Sequence, residues 1–215
     1  SMMGLLKWDS GNSYLDNKKL EDLDSKEIWK NIAYVPQAKG VAFGYNVEEF
    51  VLLGRSSHIG ITKQPSKKDK EFAINAMEKV GISHLKDSFC NQISGGELQM
   101  ALIARALCAE PTLLILDEPE SNLDFKNQLI ILETIEKLSK NQGISCIFNT
   151  HYPAHALKIS DYSLILSKDG DSFFGETNKL INNEMMRDVF DVNVDIHEVS
   201  HKEGNYKTVT ALSIV

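Results

Sequence analysis

Short unbroken apolar runs alternate along the chain with longer stretches in which apolar residues recur every three or four positions. The run Leu113-Leu114-Ile115-Leu116 is too short and too branched for a helix of its own, and it predicts a buried parallel strand. Ile32 to Val35 reads as a strand ending at Pro36-Gln37. Ile144 to Thr150 reads as the next parallel strand, buried from Ile147 to Thr150. Helical spacing marks Ser66 to Val80, with Ser66 as N-cap, Asp69 three positions on, and Phe72, Ala73, Ala76, Met77 and Val80 on one face before Gly81. A second helix is predicted over Asn127 to Asn141, with Leu129, Ile130, Leu132, Ile135 and Leu138 inward and Gly143 as its stop. With Val47 to Arg55 also helical in pattern, the region from about Gly40 to Ser94 reads as a helical subdomain. Smaller elements follow the same logic. They are a strand near Ser13 to Leu15, a helix near Lys26 to Lys30, a hairpin strand at 171–175, two short helices over 178–190, and alternating strands from Val194 to Val215 turning at Gly204-Asn205.

The 215 residues suffice for one good-sized domain. Twenty-three Lys and Arg stand against 30 Asp and Glu, a net charge of −7 with no basic tract, so no nucleic-acid partner is expected. The three cysteines, Cys90, Cys108 and Cys146, are widely spaced and fit no metal-ligand pattern, which suits a reducing compartment. His58 stands in a loop with no second ligand nearby and is read as structural. No apolar stretch is long enough to span a bilayer, so a membrane role would run through a partner.

The candidate chemistry lies between Ile93 and Asp124. Ser94-Gly95-Gly96-Glu97 opens a helix, where unpaired backbone N–H groups and the positive dipole end can hold a phosphate. Asp117 and Glu118 close the strand Leu113 to Leu116, at the sheet edge where α/β proteins bind ligands. One carboxylate can hold a metal shell while its neighbour accepts a proton from an attacking water.

Ile93-Ser94-Gly95-Gly96-Glu97, the strand ending in Asp117-Glu118, Ile103 to Leu107 and Ser121-Asn122-Leu123-Asp124 together resemble the ATP-binding cassette of ABC transporters. In that family the signature reads LSGGQ and the Walker B strand ends in Asp-Glu, so Ile93 and Glu97 are mild departures. The resemblance runs from about Gly4 to Val199. The phrase Val51 to Gly60 is similar to the subgroup that serves importers of iron complexes, haem, vitamin B12 and molybdate.

The resemblance implies an α/β, P-loop NTPase-like layered sheet with an inserted helical subdomain. Residues 4–39 and 95–193 would form the catalytic core, about 40–94 the helical subdomain and 194–215 a C-terminal extension. It gives Glu118, His151 and Gln37 catalytic roles, Asp117 and Gln37 a place at Mg²⁺, and Asp124 the D-loop. Ser94, Gly95, Gly96 and Glu97 would meet the ATP held by an opposing subunit. Expected partners are a second ATPase subunit in a homodimer, membrane permease subunits and, indirectly, a substrate-binding protein. The expected location is cytoplasmic, on the inner face of the membrane.

One family element is missing from these rows. The phosphate loop G-x-x-x-x-G-K-[ST] needs a Gly-Lys pair, and none occurs. The resemblance therefore implies an N-terminally truncated domain, with Gly4 to Gly11 as the end of the helix after that loop. ATP and Mg²⁺ belong to the complete domain, and this fragment is expected to be inactive alone. A gap beside the Walker B strand, met by a partner chain, a swapped segment or local disorder, is expected too. Two other readings remain open at this stage: a soluble ABC protein acting on ribosomes or DNA, and a nucleotide-free regulatory or relic protein.

Overall fold

The computed structural model describes residues 10–38, 44–59, 63–202 and 204–215. The expected helix end at Gly4 to Gly11, apart from its last two residues, and the boundary at Gly40 lie outside them. The chain forms two compact units, Ser1–Asn149 and Thr150–Val215.

The first unit begins with a small hairpin, β1 (Tyr14–Leu15) and β2 (Lys18–Lys19), and the helix α1 (Ser25–Asn31). β3 (Ile32–Val35) follows, then α2 (Val47–Leu52), which runs into a 3₁₀ turn at Leu53–Ser57. Next come α3 (Lys67–Lys79), α4 (Gly95–Leu107), β4 (Leu113–Asp117), α5 (Phe125–Gln142) and β5 (Ser145–Asn149). The three strands pair in parallel in the order β3-β4-β5, with Val35 opposite Leu116 and Asp117 opposite Asn149. The strand that carries Asp117 is thus hydrogen-bonded on both sides, and the gap expected beside it is absent. Among the described residues the unpaired edges of this sheet belong to β3 and β5.

Burial differs from expectation in two places. Leu114 and Leu116 are buried, but Ile115 is half-buried and Ile147 is 41% exposed. α4 packs on β3 and α5 on β5. β4 and β5 alternate between more and less buried positions instead of being buried on both sides. In α5 the buried stripe is Ile131, Leu132, Ile135 and Leu138, while Leu129 and Ile130 lie outside it. Apolar residues at 129 to 132 occupy more than a full turn, so only the side facing the sheet can be buried. Gly143, at φ 66°, closes this helix in the left-handed conformation that the stop requires.

α2 and α3 pack on each other and both on α4. Each of the three helices starts with a reciprocal capping box, at Asn46 and Glu49, Ser66 and Asp69, and Ser94 and Glu97. The 3₁₀ turn is held against α4 by two features. A Cβ at Gly54 would overlap the Arg105 carbonyl oxygen, so only glycine permits the approach. Arg55, 6% exposed, donates Nε to Asp69 Oδ1 at 3.1 Å and Nη1 to the Cys108 carbonyl at 3.0 Å and Glu110 Oε2 at 3.2 Å. Its guanidinium also lies 4.2 Å from the Phe72 ring centre. The His58 Nε2 meets the Ala109 carbonyl oxygen at 3.0 Å, a structural bond to the end of the same helix.

The second unit contains α6 (Pro153–Ile159), β6 (Tyr162–Leu166), β7 (Ser172–Glu176), α7 (Thr177–Leu180), α8 (Asn183–Phe190), β8 (Val192–His201) and β9 (Gly204–Ile214). β6 and β7 pair antiparallel, as do β8 and β9. Leu157, Ile165, Ile181, Met186 and Val194 form its core, so the last hairpin takes part in packing. His201 pairs with Gly204, which places the turn before Gly204 and not at Gly204-Asn205. Extended pairing of Gly204 and Asn205 with His201 and Ser200 satisfies backbone groups that a turn there would leave open.

Removing the Arg55 guanidinium leaves Asp69 and the Cys108 carbonyl without their buried donor. Arg55→Ala is expected to cost about 3–5 kcal/mol of unfolding free energy in a denaturant titration. Asp69 gives a pH signature. The Ser66 hydroxyl and then its amide donate to the carboxylate, with Arg55 beyond them, and lower its pKa to about 2. Because the unfolded value is about 3.9, this contribution is present above pH 4 and is lost as pH falls towards 2. Ser66→Ala should flatten that acid limb in melting curves.

Candidate functional site

Asp117 and Glu118 come at the carboxyl end of β4, where the chain leaves the sheet. The Tyr34 phenol on β3 donates to Asp117 Oδ2 at 2.7 Å, and Asn149 at the end of β5 donates Nδ2 to Oδ1 at 2.9 Å. The bond to Asp117, then burial and the carboxylate's charge, raise the Tyr34 pKa. Asn149 also accepts from the Glu118 amide through Oδ1 at 2.9 Å, so one side chain ties both acids to the neighbouring strand. Glu118 has φ 42°, a left-handed conformation uncommon outside glycine, which turns its side chain out of the strand's alternation. Its Oε2 accepts from Ser121 Oγ at 2.9 Å.

Gln37 follows β3 by two residues and is half-buried. The next amide, Ala38 N–H, donates to Gln99 Oε1 of α4 at 3.0 Å. At the start of that helix, Glu97 Oε2 accepts from the Ser94 amide at 2.8 Å and its hydroxyl at 2.7 Å, and the Glu97 amide returns a bond to Ser94 Oγ. Those two Ser94 bonds, with a smaller effect from His84, hold the Glu97 carboxyl below the usual range. The amides of Gly95 and Gly96 are the first two helical donors, which the helix itself cannot satisfy.

Gly96 is buried because α5 passes beside it. A Cβ there would come within 2.5 Å of Asn127 Cγ, and one on Gly95 would only touch Leu123 Cδ2 at 3.6 Å. Asn127 is held in turn by Asp124, whose Oδ1 caps its amide at 2.8 Å and whose Oδ2 accepts its Nδ2 at 3.0 Å. The structure thus brings Ser94, Gly95, Gly96 and Glu97 against the Asp124 turn. It also places Asp117 and Glu118 at the end of the strand beside the one leading to Gln37. His151 belongs to the second unit, exposed and one residue before the N-cap Tyr152 of α6.

Tyr34, Gln99, Asn127 and Asn149 were not singled out from the sequence, and Ser121 entered only as part of the D-loop stretch. Asn149 had a usable signal, since parallel register with Asp117 follows once the strand ends are matched. Asn127 stands three positions after an N-cap acid, where a polar side chain commonly answers the cap. Tyr34 and Gln99 carried no local signal, because their roles depend on contacts 83 and 61 residues away in sequence.

The family described as ABC transporter matches residues 1–121, more than half of the chain. The chain belongs to the ABC transporter family. It is similar to the molybdate import ATP-binding protein MolC of Haemophilus influenzae, at 34% identity over 83% of this chain and 70% of that protein. A probable iron chelatin transport ATP-binding protein of Helicobacter pylori is 35% identical over 77% of this chain and 68% of its own length. Among solved structures, a metal-chelate type ABC transporter in an inward-facing conformation matches with a TM-score of 0.81 at 33% identity, covering 85% of this chain and 73% of that one. The fold is accordingly that of an ABC ATPase, and nucleotide binding goes with it. Among the described residues no helix is long and apolar enough to cross a membrane.

Gly96→Ala should push Asn127 off Asp124 and destabilise the chain by about 1–3 kcal/mol. Asn127→Ala removes the two nearest atoms, at 2.5 and 2.6 Å, and leaves only the residue 127 Cβ at 3.0 Å from the new methyl, so the two losses should fall short of additivity by at least about 0.5 kcal/mol in a urea double-mutant cycle.

Proposed function

We propose that this chain is the ATP-hydrolysing subunit of an importer for an iron complex or a related metal-containing solute. The observation that carries the reading is the single first unit that holds an amide-bearing helix start, the Asp117-Glu118 pair and Gln37. The names of relatives that import molybdate and iron chelatin, and the metal-chelate type of the matching structure, support the cargo class.

The donor set suits the groups the family uses. Asp117 and Gln37 offer the hard oxygen ligands that Mg²⁺ takes, and the Gly95 and Gly96 amides offer an anion site with no side chain between them and a phosphate. Mg²⁺ with ATP supplies the transferable phosphoryl group and neutralises its charge. Glu118 then accepts the proton of the attacking water, oriented by its left-handed backbone and by Asn149 at its amide. Gln37 would help to hold that water, and His151 would contact the γ-phosphate as the family resemblance implies. Asp124 sets the turn that meets the opposing subunit.

Ser94 to Gly96 act on nucleotide held by a second copy. Phe125, directly after Asp124, is 86% exposed and gives that edge apolar surface for the second copy to cover. Closure of the pair would drive permease subunits docked on the helical region, which places the chain at the inner membrane face, with a substrate-binding protein acting at a distance.

The 215 residues contain no Gly-Lys pair and hence no phosphate loop. Positioning and charge stabilisation supply almost all catalysis of phosphoryl transfer, so Glu118 alone has no substrate to act on. Calorimetric ATP titration of the 215-residue polypeptide should show no tight Mg²⁺-dependent binding. The same chain preceded by a phosphate loop should bind ATP and release phosphate. Glu118→Gln in that longer chain should stop turnover and keep binding, leaving the dimer closed. Tight ATP binding by the 215 residues alone would overturn this account.

A further inference from the structure

Gln99 lies in the second turn of α4 and is 2% exposed. Its Oε1 accepts the Ala38 amide at 3.0 Å, while among the described residues its buried Nε2 has no partner. Every helical neighbour from Leu98 to Ala104 is a buried apolar residue. A leucine of similar length would fill this space without taking a half-satisfied amide out of water, so packing alone argues against glutamine here. The one bond it makes falls on the residue after Gln37. On the other side of Gln37, β3 is fixed by the Tyr34 bond to Asp117. The Gln37 segment is therefore pinned from the signature helix at one end and from the metal-holding acid at the other.

We propose that Gln99 is a positioning residue that locks the Gln37 segment to the signature helix, so that displacement of Ser94 to Gly96 on meeting nucleotide moves Gln37. The proposal rests on the ABC importer reading for the role of Gln37, but the lock itself does not. α4 is a continuous helix from Gly95 to Leu107, and a rigid element transmits a shift at its start to a side chain one turn on. The Ala38 bond converts that shift into movement of the backbone that aims Gln37. Because its acceptor is an amide oxygen, glutamate at position 99 can replace it and leucine cannot.

The test compares Gln99→Leu and Gln99→Glu. In the 215-residue chain, amide hydrogen exchange at Ala38 should quicken at least about tenfold in Gln99→Leu, with the β3 amides unchanged, and should stay slow in Gln99→Glu. Gln99→Leu should melt at or above the temperature of the unaltered chain, the opposite of what a packing role would give. In the chain preceded by a phosphate loop, Gln99→Leu should raise the Mg²⁺ concentration for half-maximal turnover as Gln37→Ala does, and the double variant should be no worse than Gln37→Ala alone. Unchanged Ala38 exchange in Gln99→Leu, or additive effects of the two variants, would overturn the proposal. If Gln37→Ala leaves the Mg²⁺ dependence unchanged, the role given to Gln37 fails, while Ala38 exchange still decides the lock.

Discussion

The two-sided pairing of β4 is the constraint on which the rest of the first unit depends. A strand bonded on both edges and buried on the face of Leu114 and Leu116 has one register open to it, since a slip of one residue would turn those leucines outward. That register puts Asp117 opposite Asn149 and beside the strand of Tyr34, and Asp117 is then held by side chains from both neighbours while Asn149 accepts from the Glu118 amide. The backbone at Glu118 departs into a left-handed conformation where the pairing stops. Ordinary sheet physics thus carries the chain to the point of strain and leaves the strain at the residue proposed as the base.

The helices meet this sheet through contacts that leave little choice of side chain. Gly54 and Arg55 are adjacent and opposite in character, one admitting the α4 backbone by having no Cβ and the other filling the space beside it with a fully engaged cation. At the other end of α4, Gly96 admits Asn127 in the same way. The signature helix is therefore fixed near its C-terminal end by the Gly54 backbone and at its start by the Asn127 side chain, with Gln99 between them reaching the Gln37 segment. Such a helix moves as a body or not at all.

Much of this was legible in the sequence, and the missing parts have physical reasons. The cap at Ser66, the helix start at Ser94 and the stop at Gly143 are local, determined by a few neighbouring residues, and the pattern shows them. The strands Ile32 to Val35 and Leu113 to Leu116 were legible from composition, because no other short structure buries such runs. Which face of β5 is covered was not, for Ile147 has the same character whether or not an element packs on it. The stripe on α5 was misjudged at Leu129 and Ile130 because four consecutive apolar residues fit more than one inward face. At the candidate site, motif residues were found, whereas their supports Tyr34, Gln99, Asn127 and Asn149 became visible only through pairing across the fold.

Glu97 shows how stability and function compete at the helix start. Its carboxylate closes the capping box and complements the helix dipole, a gain of about 0.3–1 kcal/mol for a charge so placed. The lowered carboxyl pKa keeps that charge in place at neutral pH. The same positive helix end is what would attract a phosphate from a second copy, so the charge that strengthens the cap weakens the pull on the ligand. Both Glu97 contacts run to Ser94, through its amide and its hydroxyl, which turns the carboxylate towards its own cap. Glutamine could accept the same two bonds without the charge. Under the proposed function, therefore, anion binding at the signature would depend on the two glycine amides and on nucleotide being presented by a partner, more than on long-range attraction.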